Sequence, residues 1–251
     1  MKAIVLGVLS FAVILIVWEA AARFDWVNPF FTSQPTAIAA ALAEQLRSGE
    51  LARNLAVSLR EFAGGFGAAV VFGLVLGVLA GWFRPVGYAV APFLWFVYSA
   101  PLIAFYPLFV LWLGLTPRTV MVIAFLLSVT PVAVNTIAGI EQVDRTLLLA
   151  ARAFGARPRD LLWKVVLPAS VPMMVAGLRL GVGRALTGVV IAELFVPSGG
   201  LGSSISYYGA LLKTTNMLAS LMVIVVLGVV CTQALSAVES RLDSWRTGPG
   251  V

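Results

Sequence analysis

The 251-residue sequence contains no histidine and one cysteine, and only 11% of its residues are charged. Without histidine, histidine-ligated metal sites, imidazole proton relays and catalytic dyads built on imidazole are excluded. Cys231 lies inside an apolar run, so an intramolecular disulfide framework and a cysteine-rich zinc site are excluded as well. Little conventional enzyme chemistry remains, and we expect that the chain is not an enzyme.

Lysine is scarce too, and its positions exclude a phosphate-binding loop. Such a loop needs the pattern Gly-x4-Gly-Lys-Ser/Thr, in which backbone N–H groups and the lysine hold the phosphates. None of the three lysines follows a glycine. We therefore expect no cofactor on this chain. If ATP and Mg²⁺ drive its action, another polypeptide must bind them.

Apolar residues are abundant, at 61% of the chain, and the mean hydropathy is +1.00. Soluble domains carry roughly 25% charged residues, so this composition cannot form a water-facing shell. The 17 basic residues lie in short segments between apolar runs. That distribution is typical of the charge bias that orients membrane proteins, and it does not indicate nucleic-acid binding.

Charge-free stretches predict the membrane spans, because a spanning helix needs about 20 apolar residues. The charge-free stretches are 3–18, 62–83, 85–117, 119–140 and 214–238. A further apolar region, 171–196, is interrupted by Arg179, Arg184 and Glu193, so six spans are expected in total. The stretch 85–117 is long and proline-rich, so we expect it to form one kinked span with non-helical ends.

The first stretch has two interpretations, a cleaved signal peptide and a retained helix. Its length and the position of Glu19 before the small residues favour the retained helix. Orientation follows from the basic residues, whose densest cluster lies at 145–164 between the fourth and fifth spans. This places both termini in the cytoplasm.

Glycines at four-residue spacing predict close helix packing. Gly73, Gly77 and Gly81 repeat in the second span, and Gly177 and Gly181 repeat in the fifth. Small residues at this spacing let helix backbones approach each other in lipid, where no hydrophobic force drives helices together.

The segment 145–172, here called the coupling segment, reads RTLLLAARAFGARPRDLLWKVVLPASVP and carries five of the 17 basic residues. Residues 147–154 favour a helix, and Gly155 fits its C-terminal stop. Pro158 fits the first turn of a second short helix, which we expect Pro168 and Pro172 to end. The pattern predicts a helix–turn–helix elbow on the cytoplasmic side.

This segment resembles the EAA loop of ABC importer permeases, whose pattern is Glu-Ala-Ala-x3-Gly-x9-Ile-x-Leu-Pro. The chain departs from that pattern at the glutamate position, which is Leu149. The resemblance implies that the elbow contacts an ATPase. The coupling residues it implies are Leu149, Ala150, Ala151, Gly155, Ala156, Arg157, Arg159, Leu167 and Pro168, with Val165 also matching the pattern.

The resemblance covers almost the whole chain and is closest to permeases of the nitrate, sulfonate, taurine and bicarbonate group. Supporting stretches are 58–81, 100–115, 131–144 and 192–202. It implies a bacterial inner-membrane protein that lines the pathway of a small solute, with sulfonate-like anions as candidates. The implied partners are a second, identical permease chain, two ATP-binding subunits carrying ATP and Mg²⁺, a periplasmic binding protein and the lipid bilayer.

Charged and polar residues within spans are candidates for the translocation pathway. Arg184 lies near the glycine face of the fifth span, where we expect it to pack against a neighbouring helix. Glu193 lies on the opposite face, near the periplasmic end, as a pathway residue or a structural brace. The other pathway candidates are Tyr98, Ser99, Pro101, Tyr106, Ser128 and Asn135, with Thr130 beside them.

The predicted fold is an all-α membrane protein of the type I ABC importer permease class with a cytoplasmic coupling helix. Residues 1–57 form the first span and a periplasmic segment, residues 58–240 form a core with five spans, and residues 241–251 form a tail. The alternatives are an ion-coupled transporter or channel, which would carry inverted repeats and acidic residues at the membrane midplane, and a membrane-embedded enzyme.

Overall fold

A computed structural model describes residues 2–24, 26–197 and 199–243, which form helices joined by short turns and no strands. It confirms the all-α membrane fold. A 3₁₀ turn covers Leu102–Phe105, and a π-helical turn covers Leu162–Val166. The α-helices are α1 Lys2–Arg23, α2 Pro29–Thr32, α3 Pro35–Arg47, α4 Glu50–Trp82, α5 Arg84–Ser99, α6 Tyr106–Leu113, α7 Pro117–Glu141, α8 Arg145–Ala153, α9 Pro158–Leu161, α10 Leu167–Phe195, α11 Leu201–Ala210 and α12 Thr214–Asp243.

Four continuous helical stretches in the described part of the chain are long and apolar enough to cross a membrane. A fifth span results if α5 and the Leu102–Leu113 stretch count as one bent crossing. The expected number of six is therefore not confirmed. The first expected span forms one 22-residue helix, α1. The four stretches are α4, α7, Pro158–Phe195 and Thr214–Ala237.

The proline-rich region 85–117 differs from the expected single kinked span with non-helical ends. It forms two helical stretches that meet at an angle of 85°, and both are helical almost to their ends. The bend lies at Ala100 and Pro101. Ala100 is extended, with φ −68° and ψ 136°, because the residue before a proline is disfavoured in the helical region.

The chain forms two compact units. The first contains Met1–Ser58 and Glu193–Val226, and the second contains Leu59–Ala192 and Leu227–Val251. Three long helices, α4, α10 and α12, run through both units.

Within the second unit, α4 packs on α7 through the predicted glycine repeat. A Cβ atom on Gly77 would lie 2.5 Å from Cβ of Thr136. Gly73 and Gly81 meet Val132 and Ile140 in the same way, so the contact repeats every fourth residue on both helices. The packing function predicted for this repeat is confirmed.

Helix α10 packs on the same central helix through its own glycines. A Cβ atom on Gly177 would lie 2.7 Å from Cβ of Asn135, and one on Gly181 would lie 3.0 Å from a methyl group of Val132. Gly188 approaches Ala124 equally closely. Helix α7 is therefore held on two sides by backbone-to-side-chain contacts that leave no room for a larger residue.

We predict that Gly77→Ala lowers the free energy of unfolding by about 1–3 kcal/mol, because the added methyl group overpacks the contact with α7. The measurement is thermal unfolding of the purified chain in lipid nanodiscs. Gly67→Ala on the same helix is the matched control, since a Cβ atom there has no neighbour within 4 Å. Equal effects of the two substitutions would contradict this account of the packing.

Candidate functional site

The coupling segment begins with a capped helix. The Asp144 carboxylate accepts a hydrogen bond of 2.7 Å from the Thr146 N–H and so caps α8. That bond holds the pKa of Asp144 below its ordinary value. The aspartate therefore stays charged at neutral pH, and the helix starts directly after the turn that ends α7.

Helix α8 ends in a Schellman motif, which explains the spacing of its small residues. Gly155 has φ +81°, a left-handed conformation that favours glycine. Its N–H donates to the Arg152 carbonyl at 2.9 Å, and the Ala156 N–H donates to the Ala151 carbonyl at 3.0 Å. These two bonds satisfy carbonyls at the helix end and turn the chain sharply. The glycine predicted to stop the helix occupies the position that the turn requires.

The second arm of the elbow differs from the expectation. Helix α9 and the π-helical turn continue directly into α10, so neither Pro168 nor Pro172 ends the helix. Pro168 lies in the first turn of α10, and Pro172 lies inside it. In the π turn the Leu167 N–H bonds the Leu162 carbonyl five residues back. A π turn is wider than an α-helical turn, so it accommodates the ring of Pro168, which would otherwise clash with the carbonyl four residues earlier.

A small apolar core anchors the elbow to the membrane helices. Ile140 and Val143 at the end of α7 pack with the buried Val166 of the π turn. Leu148 of α8 and Leu162 pack against this cluster, together with Val78 and Trp82 of α4. The elbow is therefore held in place by α4, α7 and the start of α10.

The outer surface of the elbow is apolar and basic. Phe154 is 93% exposed, and Leu149 and Trp163 are 65% and 68% exposed. Arg157 and Arg159 are exposed beside them. Of the other predicted coupling residues, Ala150, Gly155 and Pro168 are exposed, and Ala151, Ala156 and Leu167 are half-buried.

Glu193 is buried, and its carboxylate is surrounded by hydrogen-bond donors within the first unit. The Ser58 hydroxyl donates to Oε1 at 2.6 Å, and the Gly202 N–H donates to Oε2 at 2.6 Å. The Leu201 N–H donates to the Ser58 hydroxyl at 2.9 Å, which completes the network. A side chain on Gly200 would collide with the carboxylate. This geometry matches a brace that holds the turn at Gly199 and Gly200 and the start of α11.

Ser58 of the Glu193 network lies on α4. The surface of α4 that carries Ser58 makes two further polar contacts that sequence analysis missed. The Tyr208 hydroxyl of α11 donates to the Glu50 carboxylate at 2.7 Å, and the Asn54 amide donates to the Ser204 hydroxyl. Burial, reinforced by the bond to Glu50, raises the pKa of Tyr208 to about 12. Glu50, Asn54 and Ser58 are spaced four residues apart, so the signal for a polar helix face was present in the sequence.

We predict that Glu193→Gln destabilises the chain by about 1–3 kcal/mol, because the amide presents N–H donors to groups that already donate. The measurement is thermal unfolding combined with limited proteolysis of the turn before α11. Glu44→Gln, on the exposed surface of α3, serves as the control and should stay within about 0.5 kcal/mol. Unchanged stability and proteolysis in Glu193→Gln would show that the carboxylate does not brace this region.

The remaining pathway candidates fall into two groups. The Ser128 hydroxyl bonds the Ala124 carbonyl at 2.6 Å, and the Asn135 amide bonds the Pro131 carbonyl at 2.8 Å. Both bonds lie within α7. By contrast, Tyr98, Ser99 and Pro101 are exposed at the bend after α5, and Tyr106, which starts α6, is half-buried. The structure thus brings three candidates together at the bend.

Two cavities adjoin these helices within the second unit. The larger, of about 540 Å³, lies among α4, α5 and α7 and is lined by Tyr88 and Trp95 together with Gly81 and Gly87. The smaller, of about 50 Å³, adjoins the bend after α5. Neither was predicted from the sequence, because each depends on which helices become neighbours.

The sequence pattern of a protein family described as "Binding-protein-dependent transport system inner membrane component" matches residues 70–244. The taurine transport system permease protein TauC of Escherichia coli is 29% identical over 97% of this chain and 90% of its own length. A putative ABC transporter permease of Methanocaldococcus jannaschii is 32% identical over 98% of this chain and 93% of its own. The putative aliphatic sulfonates transport permease protein SsuC of Bacillus subtilis is 31% identical over 96% and 87%.

Solved structures share the fold. One inward-facing structure of the MetNI methionine ABC transporter has a chain that superposes with a TM-score of 0.68 at 22% identity. The match covers 79% of this chain and 98% of that one. A second crystal form of the same transporter gives a TM-score of 0.65 at 21% identity, covering 77% of this chain and 96% of the other. At these identities the likeness is one of fold.

Proposed function

The chain belongs to the family of binding-protein-dependent transport system inner membrane components, and we propose that its coupling segment docks on a separate ATP-binding subunit. Membership in the family makes the chain the membrane-spanning translocation subunit of an ABC importer. The observation that carries the docking proposal is the exposed apolar surface of the elbow, centred on Phe154.

The elbow surface has the properties of a protein interface. Leu149 lies on α8, and Phe154 is the residue that caps its C-terminal end. Neither belongs to a candidate span, so we infer that the bilayer core does not cover them. Exposed apolar side chains next to exposed arginines are typical of a contact with another protein. Since this chain has no phosphate-binding loop, the proposed partner carries the ATP and Mg²⁺.

The connections of the elbow support a lever mechanism. One arm follows directly from α7, and the other continues into α10 through the π turn. Because α7 and α10 also pack through Gly177 and Gly181, a displacement of the elbow moves both helices together. Closure of the ATPase pair would then change access to the pathway between two permease chains.

The proposed assembly has two copies of this chain, two ATP-binding subunits and a periplasmic binding protein that delivers the solute. The names of two relatives, for taurine and for aliphatic sulfonates, support a small sulfonate-like anion as the solute. The dense basic cluster of the coupling segment supports an orientation with both termini in the cytoplasm of a bacterial cell.

We predict that Phe154→Asp abolishes co-purification of the ATPase encoded beside this chain, because it places a charge in the centre of the apolar contact. The measurement is affinity purification of the co-expressed subunits in detergent and in nanodiscs. Gly155→Asp, which strains the left-handed turn, should have the same effect.

The control for this experiment is Leu46→Asp, which makes the same kind of change at a 63% exposed side chain of α3. It should leave the complex intact. Retention of the ATPase by Phe154→Asp would contradict docking through the elbow. Failure of the wild-type chain to bind any ATPase would contradict the assembly as a whole.

A further inference from the structure

Arg184 places a permanent charge near the centre of the fifth apolar region. It is the fourteenth residue of the 26-residue stretch 171–196, so both ends of the stretch are roughly 20 Å away along the helix. Its side chain is exposed, as are Gly183 and Thr187 on the same face of α10. A guanidinium at this depth is strongly unfavourable in lipid.

Within the described residues, Arg184 has neither an ion pair nor a hydrogen bond. The glycines of α10 that contact α7, Gly177, Gly181 and Gly188, lie within about 60° of Arg184 around the helix, so the arginine lies beside this packing face. A charge that is costly in lipid and unneutralised by the chain is typical of a residue that faces a water-filled pathway.

Arg184 lines the small cavity at the bend after α5. Tyr98, Ala100 and Leu102 line it from the bend, and Thr130 and Pro131 line it from α7. Thr130 is only 2% exposed, and among the described residues its hydroxyl has no hydrogen-bond partner. A buried hydroxyl without a partner is unusual, because the missing bond costs free energy.

We propose that this cavity is a binding site for the anionic group of the transported solute, held by Arg184, Thr130 and Tyr98. The proposal deepens the importer function and rests on it for the identity of the solute. The proposed site lies within the membrane and holds the anionic group of the solute after the solute has entered the pathway.

The chemistry of the lining fits an oxyanion. The guanidinium offers several N–H donors in one plane, and the two hydroxyls add O–H donors. No acidic side chain lines the cavity, so nothing in it repels an anion. Its volume of about 50 Å³ is larger than the roughly 10–15 Å³ that a cavity needs to hold one water molecule, which leaves room for a small oxyanion group.

The experiment measures thermal stabilisation of the full chain in phosphatidylcholine nanodiscs by ethanesulfonate, with ethylammonium as the cationic counterpart. The wild-type chain should be stabilised by the anion and unaffected by the cation. Arg184→Gln should weaken the apparent affinity about tenfold or more, because it removes a charge-assisted contact. Thr130→Val should weaken it by a smaller factor, since it removes one neutral donor.

Arg118→Gln, an equivalent charge removal at the exposed start of α7, is the matched control and should respond like the wild type. Equal anion responses in Arg184→Gln and the wild type would overturn the proposal, and so would the absence of any response in the wild type. An effect produced only by nanodiscs containing phosphatidylglycerol, and lost in Arg184→Gln, would assign the site to a lipid phosphate and overturn a solute site.

Co-purification of the ATPase separates this inference from the importer function. Arg184→Gln should retain the ATPase, because Arg184 is remote in sequence from the elbow surface. A wild-type chain that binds ethanesulfonate but no ATPase would contradict the importer assembly and leave the anion site in place. The reverse result would contradict the anion site alone.

Discussion

The close approach of α4 and α10 to α7 is the contact on which the rest of the structure depends. In lipid, neighbouring helices gain little from burying apolar surface, so stability comes from contact between backbones and small side chains. Gly77 and Gly177 allow that contact on two sides of α7. The elbow begins where α7 ends and leads into α10, and the small cavity lies between α7 and the bend after α5. A looser packing would separate the proposed ATPase contact from the proposed pathway.

Helix α10 carries three charged residues, and two of them, Glu193 and Arg184, have opposite surroundings. Glu193 is surrounded by donors from α4 and from the start of α11, so its charge is compensated within the chain and stabilises a turn. Arg184 has no such compensation in the described residues and lies on the exposed face. A buried charge with all its partners is suited to holding structure, whereas an uncompensated one is suited to binding a ligand of opposite charge. The two residues are nine positions apart on α10 and have different surroundings.

Sequence patterns predicted the features that depend on local chemistry. The repeat Gly73, Gly77 and Gly81 identified a packing face, because glycine lets a neighbouring helix approach closely. Gly155 identified the end of α8, because glycine readily adopts a positive φ. The prolines were harder to interpret. Pro101 marks a sharp bend, but Pro168 is accommodated in a continuous helix because a π turn precedes it, and Pro172 lies inside the same helix. Whether a proline ends a helix depends on the hydrogen bonding of its neighbours, which no single-residue preference shows.

The candidate site was less predictable because it depends on tertiary neighbours. Ser128 and Asn135 are polar and lie in a membrane helix, yet the side chain of each donates a hydrogen bond to a backbone carbonyl of α7. Thr130 lies between them, and its hydroxyl has no hydrogen-bond partner in the part of the chain that the structure describes. Sequence alone gives these three residues the same character, and only the position of the bend after α5 distinguishes them. The polar face of α4 was detectable from its spacing, but its partners on α11 are about 150 residues away in sequence.

We infer that the elbow and α10 move as one body when ATP binds to the ATPase pair. Electron paramagnetic resonance distances between spin labels at Arg152→Cys and Leu180→Cys, in a Cys231→Ser background, measure this coupling. Doubly labelled chains would be diluted into unlabelled ones within the assembled importer. We expect this distance to stay constant between the nucleotide-free and ATP-bound states, while the distance between Leu180→Cys labels on the two copies changes. A change within one chain, with a constant distance between copies, would contradict it.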